Sequence, residues 1–290
     1  MTRPTFRQLL AAEKPLLLPG AHDALSARMI EQAGYKAFLI GGFPLVGARY
    51  ALPDVGLAGL EEIRSGIADI FAACDLPCLI DADDGYGDVK NVTNTVRAYE
   101  RLGASAFFIE DQVAPKRCGH MAGKDVVPSA VMETKIAAAA AARENKEMFL
   151  IARTDARAVH GLDEALRRGE RYLKAGADGV FVEAPQSVEE LKQIGRALDA
   201  VQMANMLEGG QTPILKPDTL YEMGYDIVIF GISMALRAAK TVETALAGLK
   251  QGMLTGEAVT ADDFHRIVRL GDWARLEDDF PIHPTEEAAS

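Results

Sequence analysis

The sequence predicts an α/β chain closed into a (β/α)₈ (TIM) barrel, and three observations carry that reading. Short apolar runs recur about eight times along 290 residues, helix-like segments separate them, and the runs end on polar side chains. Continuous apolar character suits strands covered on both faces, as in a parallel sheet. Regular alternation with helices at this length points to a barrel, which fills roughly 250 residues as one domain. A doubly wound open sheet is the competing architecture; it would spread the polar strand ends along a crevice, whereas a barrel gathers them around one mouth.

The predicted strands are, in order, 16–19, 37–41, 78–81, 106–110, 148–153, 179–183, 201–205 and 227–231. Four of them follow an amphipathic segment that stops at Gly34, Gly103, Gly176 or Gly224, about three residues ahead of the apolar run. Glycine there reads as a left-handed helix C-cap. Helical spacing covers 22–33, 59–73, 91–102, 130–144, 163–175, 187–198 and 234–250. No Gly/Ser-rich linker or low-complexity block interrupts the pattern, so 1–290 reads as a single barrel domain with a helical extension over 255–280. In that extension Phe264, Ile267, Val268, Leu270, Trp273, Leu276 and Phe280 recur at helical spacing and need a surface to cover, in the same subunit or a neighbour. The tail from Pro281 to Ser290 is expected to be poorly ordered.

Composition narrows the function. Hydrophobic residues make up 49% and charged residues 25%. No run approaches the roughly 20 apolar residues that cross a bilayer, so a soluble protein with no membrane partner is expected. The first residues lack the pattern of a secretory signal, which favours the cytoplasm. A net charge of −11 repels polyanions and argues against a nucleic-acid partner. Any small anionic substrate therefore needs local positive charge. The cysteines number three, which excludes a disulfide scaffold; Cys74 and Cys78 read as core filler, since no second Cys/His pair completes a zinc set.

Asp81, Asp83, Glu110, Arg153, Glu183 and Asn205 all fall at the C-terminal ends of predicted strands, where barrel enzymes do their chemistry. Carboxylates are the ligands a hard cation such as Mg²⁺ selects. Asp81 and Asp83, two apart on a strand, would share a face, with Gly85 and Gly87 permitting a sharp turn beneath a ligand. Read as structure alone, the same segment is a polar turn with solvated acids, to which Asp84 and Asp88 belong. Cys118 lies between Lys116-Arg117 and Gly119-His120; the adjoining cations would favour its thiolate and the glycine would give the loop mobility. A nucleophile, a general acid and an inert loop cysteine all fit, with His120 placed to orient the thiol or exchange a proton with it. His22, His160, His265 and His283 have no such setting. Arg153 ends a buried run and must meet a carboxylate, either on a substrate or on the protein, with Glu183 as the protein alternative.

Several motifs together add a family resemblance. They are Gly20-Ala21-His22-Asp23-Ala24-Leu25-Ser26-Ala27, Leu52-Pro53-Asp54-Val55-Gly56, Asp81-Ala82-Asp83-Asp84-Gly85-Tyr86-Gly87, Glu110-Asp111-Gln112, Lys116 through His120, Ala152-Arg153-Thr154-Asp155-Ala156, and Asn205-Met206-Leu207-Glu208-Gly209-Gly210. With these the chain resembles the isocitrate lyase/phosphoenolpyruvate mutase superfamily. The loop at 116–120 is similar to that of its carbon–carbon lyases, the methylisocitrate lyase, 2,3-dimethylmalate lyase and petal death protein branch. The resemblance implies a (β/α)₈ barrel with a C-terminal helical segment swapped between subunits, a homotetramer built as a dimer of swapped dimers, and Mg²⁺ in the site, with Mn²⁺ as the alternative ion. It implies Asp81 as the metal anchor, with Asp54, Asp83 and Glu110 acting largely through metal-bound water. It implies catalysis by Cys118 with His120, Lys116 and Glu183, and substrate contacts from Gly41, Gly42, Phe43, Gly119, Arg153, Asn205 and Arg237. The implied reaction splits a 2-hydroxy di- or tricarboxylate into a 2-oxo acid such as pyruvate and a carboxylate, with Cys118 as general acid.

Departures from the family pattern bear on substrate. Gly41 stands where serine is common, Leu39 and Leu207 where methylisocitrate lyases tend to have tyrosine and threonine, Gly231-Ile232-Ser233 where Pro-Leu-Ser/Thr is usual, and Arg49 and Tyr50 are unusual in the preceding loop. The segment 205–210 looks more like the dimethylmalate lyase and petal death branch. Two other functions remain open on the same barrel: oxaloacetate hydrolysis or decarboxylation, or carboxyphosphonoenolpyruvate phosphonomutase chemistry; and a non-catalytic metabolite-binding protein.

Overall fold

A computed structural model describes residues 3–282. Eight strands, β1 (Leu16–Ala21), β2 (Phe38–Ile40), β3 (Cys78–Asp81), β4 (Ala106–Glu110), β5 (Phe149–Thr154), β6 (Gly179–Val182), β7 (Val201–Asn205) and β8 (Ile227–Phe230), pair in parallel in chain order and close β1 onto β8. The predicted closed barrel is therefore present and the open sheet is excluded. The helices are α1 (Phe6–Ala12), α2 (Ala24–Gln32), α3 (Gly42–Tyr50), α4 (Leu60–Phe71), α5 (Val89–Leu102), α6 (Ser129–Ala142), α7 (Ala156–His160), α8 (Leu162–Lys174), α9 (Val188–Ala197), α10 (Pro217–Met223), α11 (Ser233–Leu249), α12 (Ala261–Ile267) and α13 (Leu270–Asp279).

Side-chain alternation along the strands builds two layers. In β4, Ala106 and Phe108 point into an inner cluster with Leu39, Leu79, Ile151, Phe181 and Ile229, whereas Phe107 and Ile109 point outward among the helices. The period of two is what a barrel strand requires. α1 contributes Phe6 to the inner cluster, its ring 5.7 Å from that of Phe149 at the start of β5. Cys74 and Cys78 are buried in the outer layer, as expected of core filler. All four predicted cap glycines have positive φ, and Gly103 and Gly224 are themselves the C-caps of α5 and α10. Because those caps end each helix on the same side, the strand C-termini collect at one mouth.

The chain divides into two compact units, one ending at Ala238 and the other beginning at Ala239. The first contains the barrel. In the second, the apolar spacing over 261–280 resolves into two helices, because Arg269 between them adopts a left-handed conformation at φ +58°. The large side chains Trp273, Phe280, Leu276 and Leu270 of this unit are exposed. Most of the tail predicted to be poorly ordered lies outside the described residues. Among the described residues no helix is long and apolar enough to cross a membrane.

Candidate active site at the barrel mouth

β3 delivers Asp81 to the mouth, where Oδ2 accepts from the Gly42 amide at 3.4 Å and Oδ1 accepts from the Asp83 amide at 2.9 Å. The second contact is an Asx-type turn, and it shows that Asp83 is not a strand residue sharing a face with Asp81. The strand stops at Asp81 and Asp83 takes φ +47°, a left-handed conformation that aspartate tolerates. Asp83 instead faces Lys116, whose Nζ is 2.6 Å from its Oδ1 and is also paired with Asp54. Burial pushes the Asp83 carboxyl up to about 7, with Asp81 and Asp54 adding to the rise and Lys116 opposing it. Burial works against the Lys116 ammonium, yet Asp83, Glu110, Asp81 and Asp54 together raise it above the ordinary lysine value. Of the two acids expected to be solvated, Asp84 is instead part-buried beside Lys135, whereas Asp88 is exposed and also caps α5 by accepting from the Lys90 amide.

Arg153, at the end of β5, is the second centre. Its Nε and Nη2 donate to the two oxygens of Asp155 at 2.9 and 3.2 Å, Nη1 lies 3.1 Å from Glu110 and 3.6 Å from Glu183, and its guanidinium stacks 5.5 Å over the Phe181 ring. The protein carboxylates thus meet the guanidinium, and the forked pair is with Asp155 rather than Glu183. Burial would lower the arginine's proton affinity, but Asp155, Glu110 and Glu183 raise it well above the usual value. Glu110 is pushed well up by burial despite Arg153. For Glu183 burial also pushes upward, but Arg153 and His120 outweigh it and hold the carboxyl below its ordinary value.

The loop after β4 seats on this cluster. Gln112 staples its start, donating to the Arg117 carbonyl and accepting from the Arg117 amide, each at 2.9 Å. His120 Nδ1 accepts from the Gln211 amide at 3.0 Å, so the neutral ring carries its proton on Nε2, which lies 2.8 Å from Glu183 Oε1. Gly119 is indispensable at its position: a Cβ there would fall 2.5 Å from Arg153 Nη2 and 2.6 Å from Glu183 Cγ. The expectation of a thiolate at Cys118 is corrected. Burial raises the thiol's pKa, a hydrogen bond from the His120 backbone and the charge of Arg153 only partly offset it, and Lys116 is engaged by the carboxylates. The thiol is kept protonated, which suits an acid and not a nucleophile.

These elements surround a small cleft of about 60 Å³, open at the mouth. Gly41, Gly42, Phe43, Asp54, Asp81, Cys118, Gly119, His120, Arg153, Glu183 and Asn205 line it, while Asp83, Glu110 and Lys116 stand behind this lining. Arg237 does not join them; it is largely exposed on α11 and pairs with Glu208 at 2.6 Å. Of the positions that depart from the family pattern, Leu39, Gly41, Leu207, Gly231 and Ile232 line the cleft, whereas Arg49 and Tyr50 do not; they lie on α3, where Arg49 pairs with Asp69 at 2.5 Å. Sequence reasoning did not assign Asp155, Asp111, Lys124 or Gln211. Asp155 stood two residues from Arg153, just past the end of β5 at the start of α7, and Asp111 followed Glu110 directly.

A divalent cation suits this donor set. Of the described side chains around the mouth, Asp54, Asp81, Asp83, Glu110, Asp155 and Glu183 outnumber the cations Lys116, Lys124 and Arg153. Glu110 Oε1 and Asn205 Oδ1 are buried acceptors with no hydrogen-bond donor. Burial, with neighbouring carboxylates adding to it, pushes Asp83 and Glu110 upward, and added positive charge would oppose that rise. Among the described residues no three His, Cys, Asp or Glu side chains converge as a direct metal-binding group.

Comparison with known proteins agrees with this architecture. The phosphoenolpyruvate phosphomutase family model matches residues 6–250. The chain is 39% identical to 2,3-dimethylmalate lyase of Eubacterium barkeri, covering 93% of this chain and 94% of that one. It is 42% identical to a probable 2-methylisocitrate lyase of Corynebacterium glutamicum, over 86% and 82% of the two chains. A solved structure of oxaloacetate acetylhydrolase in complex with the inhibitor 3,3-difluorooxalacetate superposes with a TM-score of 0.90 at 29% identity, covering 95% of each chain. With its closed barrel, its carboxylate-rich mouth and these similarities, the chain belongs to the phosphoenolpyruvate phosphomutase family, within the isocitrate lyase/phosphoenolpyruvate mutase superfamily.

Proposed function

We propose that this protein is a Mg²⁺-dependent carbon–carbon lyase that splits an alkyl-substituted 2-hydroxy dicarboxylate of the 2,3-dimethylmalate type into a 2-oxo acid and a carboxylate. The observation that carries the reading is Cys118: a thiol held protonated, in a loop seated on Arg153 and Glu183, over a mouth rich in carboxylates. Asp81 would anchor the ion, with Asp54, Asp83 and Glu110 around it. When bound, the ion supplies Lewis acidity to the hydroxyl and carboxylate oxygens of the substrate.

The chain's own residues account for the rest. The N-terminus of α3 presents the Phe43 amide with no side-chain cap competing for it, a setting that holds a carboxylate. As the bond between the hydroxyl-bearing carbon and its neighbour breaks, the hydroxyl becomes the new carbonyl by giving its proton to a carboxylate of the lining, Glu183 in this reading, and the electron pair of the broken bond passes to the departing fragment, where Arg153 stabilises the developing carboxylate charge. Cys118 Sγ then delivers its proton to the carbanion carbon. Glu183 and the neutral His120 fix the loop that carries the thiol, and the seated loop excludes water.

The substrate class follows from the lining. Arg153 is the one lysine or arginine that lines the cleft, while Leu39, Phe43, Leu207, Ile229 and Ile232 form apolar wall. This suits two carboxylates, one at Arg153 and one at the N-terminus of α3, and buried methyl groups at about 0.8 kcal/mol per carbon; a third carboxylate would find no further lysine or arginine among the described residues of the lining. The exposed apolar side chains of the second unit, Trp273 and Phe280 foremost, fit a helical segment covered by a neighbouring subunit in a homotetramer, and the enzyme would act in the cytoplasm.

The test is incubation with Mg²⁺ and a panel of 2,3-dimethylmalate, 2-methylisocitrate, isocitrate, citramalate, oxaloacetate and phosphonopyruvate, with products followed by NMR and an EDTA control. Metal-dependent pyruvate or another 2-oxo acid plus a carboxylate, fastest from 2,3-dimethylmalate, is the expected result. The second reading, oxaloacetate hydrolysis, is favoured by the likeness to the acetylhydrolase and would appear as oxalate plus acetate. Asp81→Asn, which keeps the side chain's size, should raise the Mg²⁺ concentration for half-maximal rate about tenfold or more; an unchanged titration would remove Asp81 as the anchor.

A further inference from the structure

We infer that Lys124 and Asp155 form a latch that holds the Cys118 loop in its seated position and couples that position to the placement of Arg153. Lys124 follows the loop, and its side chain is only 2% exposed. The ammonium makes two contacts: it donates to Asp155 Oδ1 at 2.7 Å and to the backbone carbonyl of Gly119, the residue that presses on Arg153 and Glu183. The second contact exists only while the loop is down. If the loop lifts, Gly119 leaves and a buried ammonium loses one of its two acceptors, at a cost of the kind that attends any buried donor without a partner.

Asp155 is built to hold the other end. Its side chain is fully buried, its two oxygens are taken by Arg153 and Lys124, and its backbone amide donates to Asp111 Oδ1 at 2.9 Å. Asp111 is in turn fixed by Thr154 Oγ1 at 2.7 Å, Tyr172 OH at 2.8 Å and Arg168 Nη1 at 2.9 Å, none of which lines the cleft. The anchor therefore belongs to the barrel wall and stays in place when the loop moves. Arg153 is shared among Asp155, Glu110 and Glu183; with Lys124 satisfying Asp155, the guanidinium is freer to turn its remaining edge to the cleft. Lys124 is a positioning residue, acting through Gly119 and Asp155 and touching nothing in the cleft itself.

The latch rests on the proposed function only in taking Cys118 as the working group of the loop, and it can be read without any substrate. Cys74 and Cys78 are buried, so the rate of alkylation of the intact protein by iodoacetamide at fixed pH reports the exposure of Cys118. Lys124→Met keeps the length of the side chain and removes the ammonium, leaving Asp155 paired with Arg153. It should speed alkylation at least tenfold while circular dichroism and melting remain those of a folded barrel. Alkylation at the wild-type rate in the folded variant overturns the latch and leaves Lys124 a buried counter-charge. Should Lys124→Met not fold, Lys124→Leu, which likewise removes the donor, carries the same test with the same two outcomes. Faster alkylation in a protein that turns over none of the acids in the panel would uphold the latch and sink the lyase.

Discussion

Replacing Arg153 with methionine should destabilise the protein by about 3–5 kcal/mol, the loss that accompanies removal of one partner from a buried ion pair. The size comes from what is left behind. Asp155, Glu110 and Glu183 all face the guanidinium, their side chains are at most 1% exposed, and the cation they share would be gone. Methionine fills much of the same volume, so the loss measures charge and hydrogen bonding and not a cavity. The stranded carboxyls would have higher pKa values in the folded variant than in the unfolded chain, so folding would bind protons. Stability of the variant is then greatest at low pH and declines as pH rises through the raised folded values. Urea unfolding at pH 5.5 and pH 8 checks both points. A loss below about 1 kcal/mol, or one that does not grow with pH, would mean that the carboxylates have other support. Arg153→Lys should recover only part of the loss, because an ammonium cannot reproduce the fork to Asp155.

Most of the architecture was legible because barrel strands announce themselves. Eight apolar runs ended on polar residues, and cap glycines preceded four of them; each of the eight became a strand within a residue or two of its expected bounds. The helices that escaped notice are short or carry helix breakers. α3 holds Pro44 and two glycines, yet Pro44 sits in its first turn, where no amide hydrogen is required, and α10 opens on Pro217 for the same reason. Seven residues of α10 span too few turns to display a period.

At the site, the residues at strand ends were read correctly as converging, since closure of the sheet brings Asp81, Glu110, Arg153, Glu183 and Asn205 to one mouth whatever their separation in sequence. What could not be read was their pairing. Lys116 looked like a cation beside a thiol, but the loop turns its side chain toward Asp54 and Asp83, 62 and 33 residues away. The thiol is left to be governed by burial. Asp83 was assigned to the strand because spacing of two implies a shared face; the Asx turn onto Asp81 breaks that spacing, and a local hydrogen bond of that kind has no periodic signature. Arg237 was carried over from the family pattern, and here a surface pair with Glu208 holds it instead.

Cys118→Ser should lower kcat by about 10²- to 10⁴-fold, the range that a positioned general acid contributes. The substitution is close to isosteric and leaves Gln112, Gln211 and Lys124 to seat the loop, so folding and the binding of Mg²⁺ with a 2-oxo acid should survive. A serine hydroxyl is far too weak an acid to protonate the departing fragment, and bond breaking would then outrun product formation. The pH profile separates this role from the alternatives. In the wild type the rate should fall on the alkaline side as the thiol deprotonates, with that limb displaced above the ordinary thiol value because burial raises the Cys118 pKa. The residual activity of Cys118→Ser should lack the limb. A nucleophilic thiol would show the opposite slope, its rate rising as the thiolate forms, and an inert loop cysteine would leave turnover and profile unchanged. Of the three roles open to this residue, burial favours the acid for a physical reason: a group that must give up a proton late in the reaction has to hold it until then, and partial burial beside carboxylates penalises the thiolate.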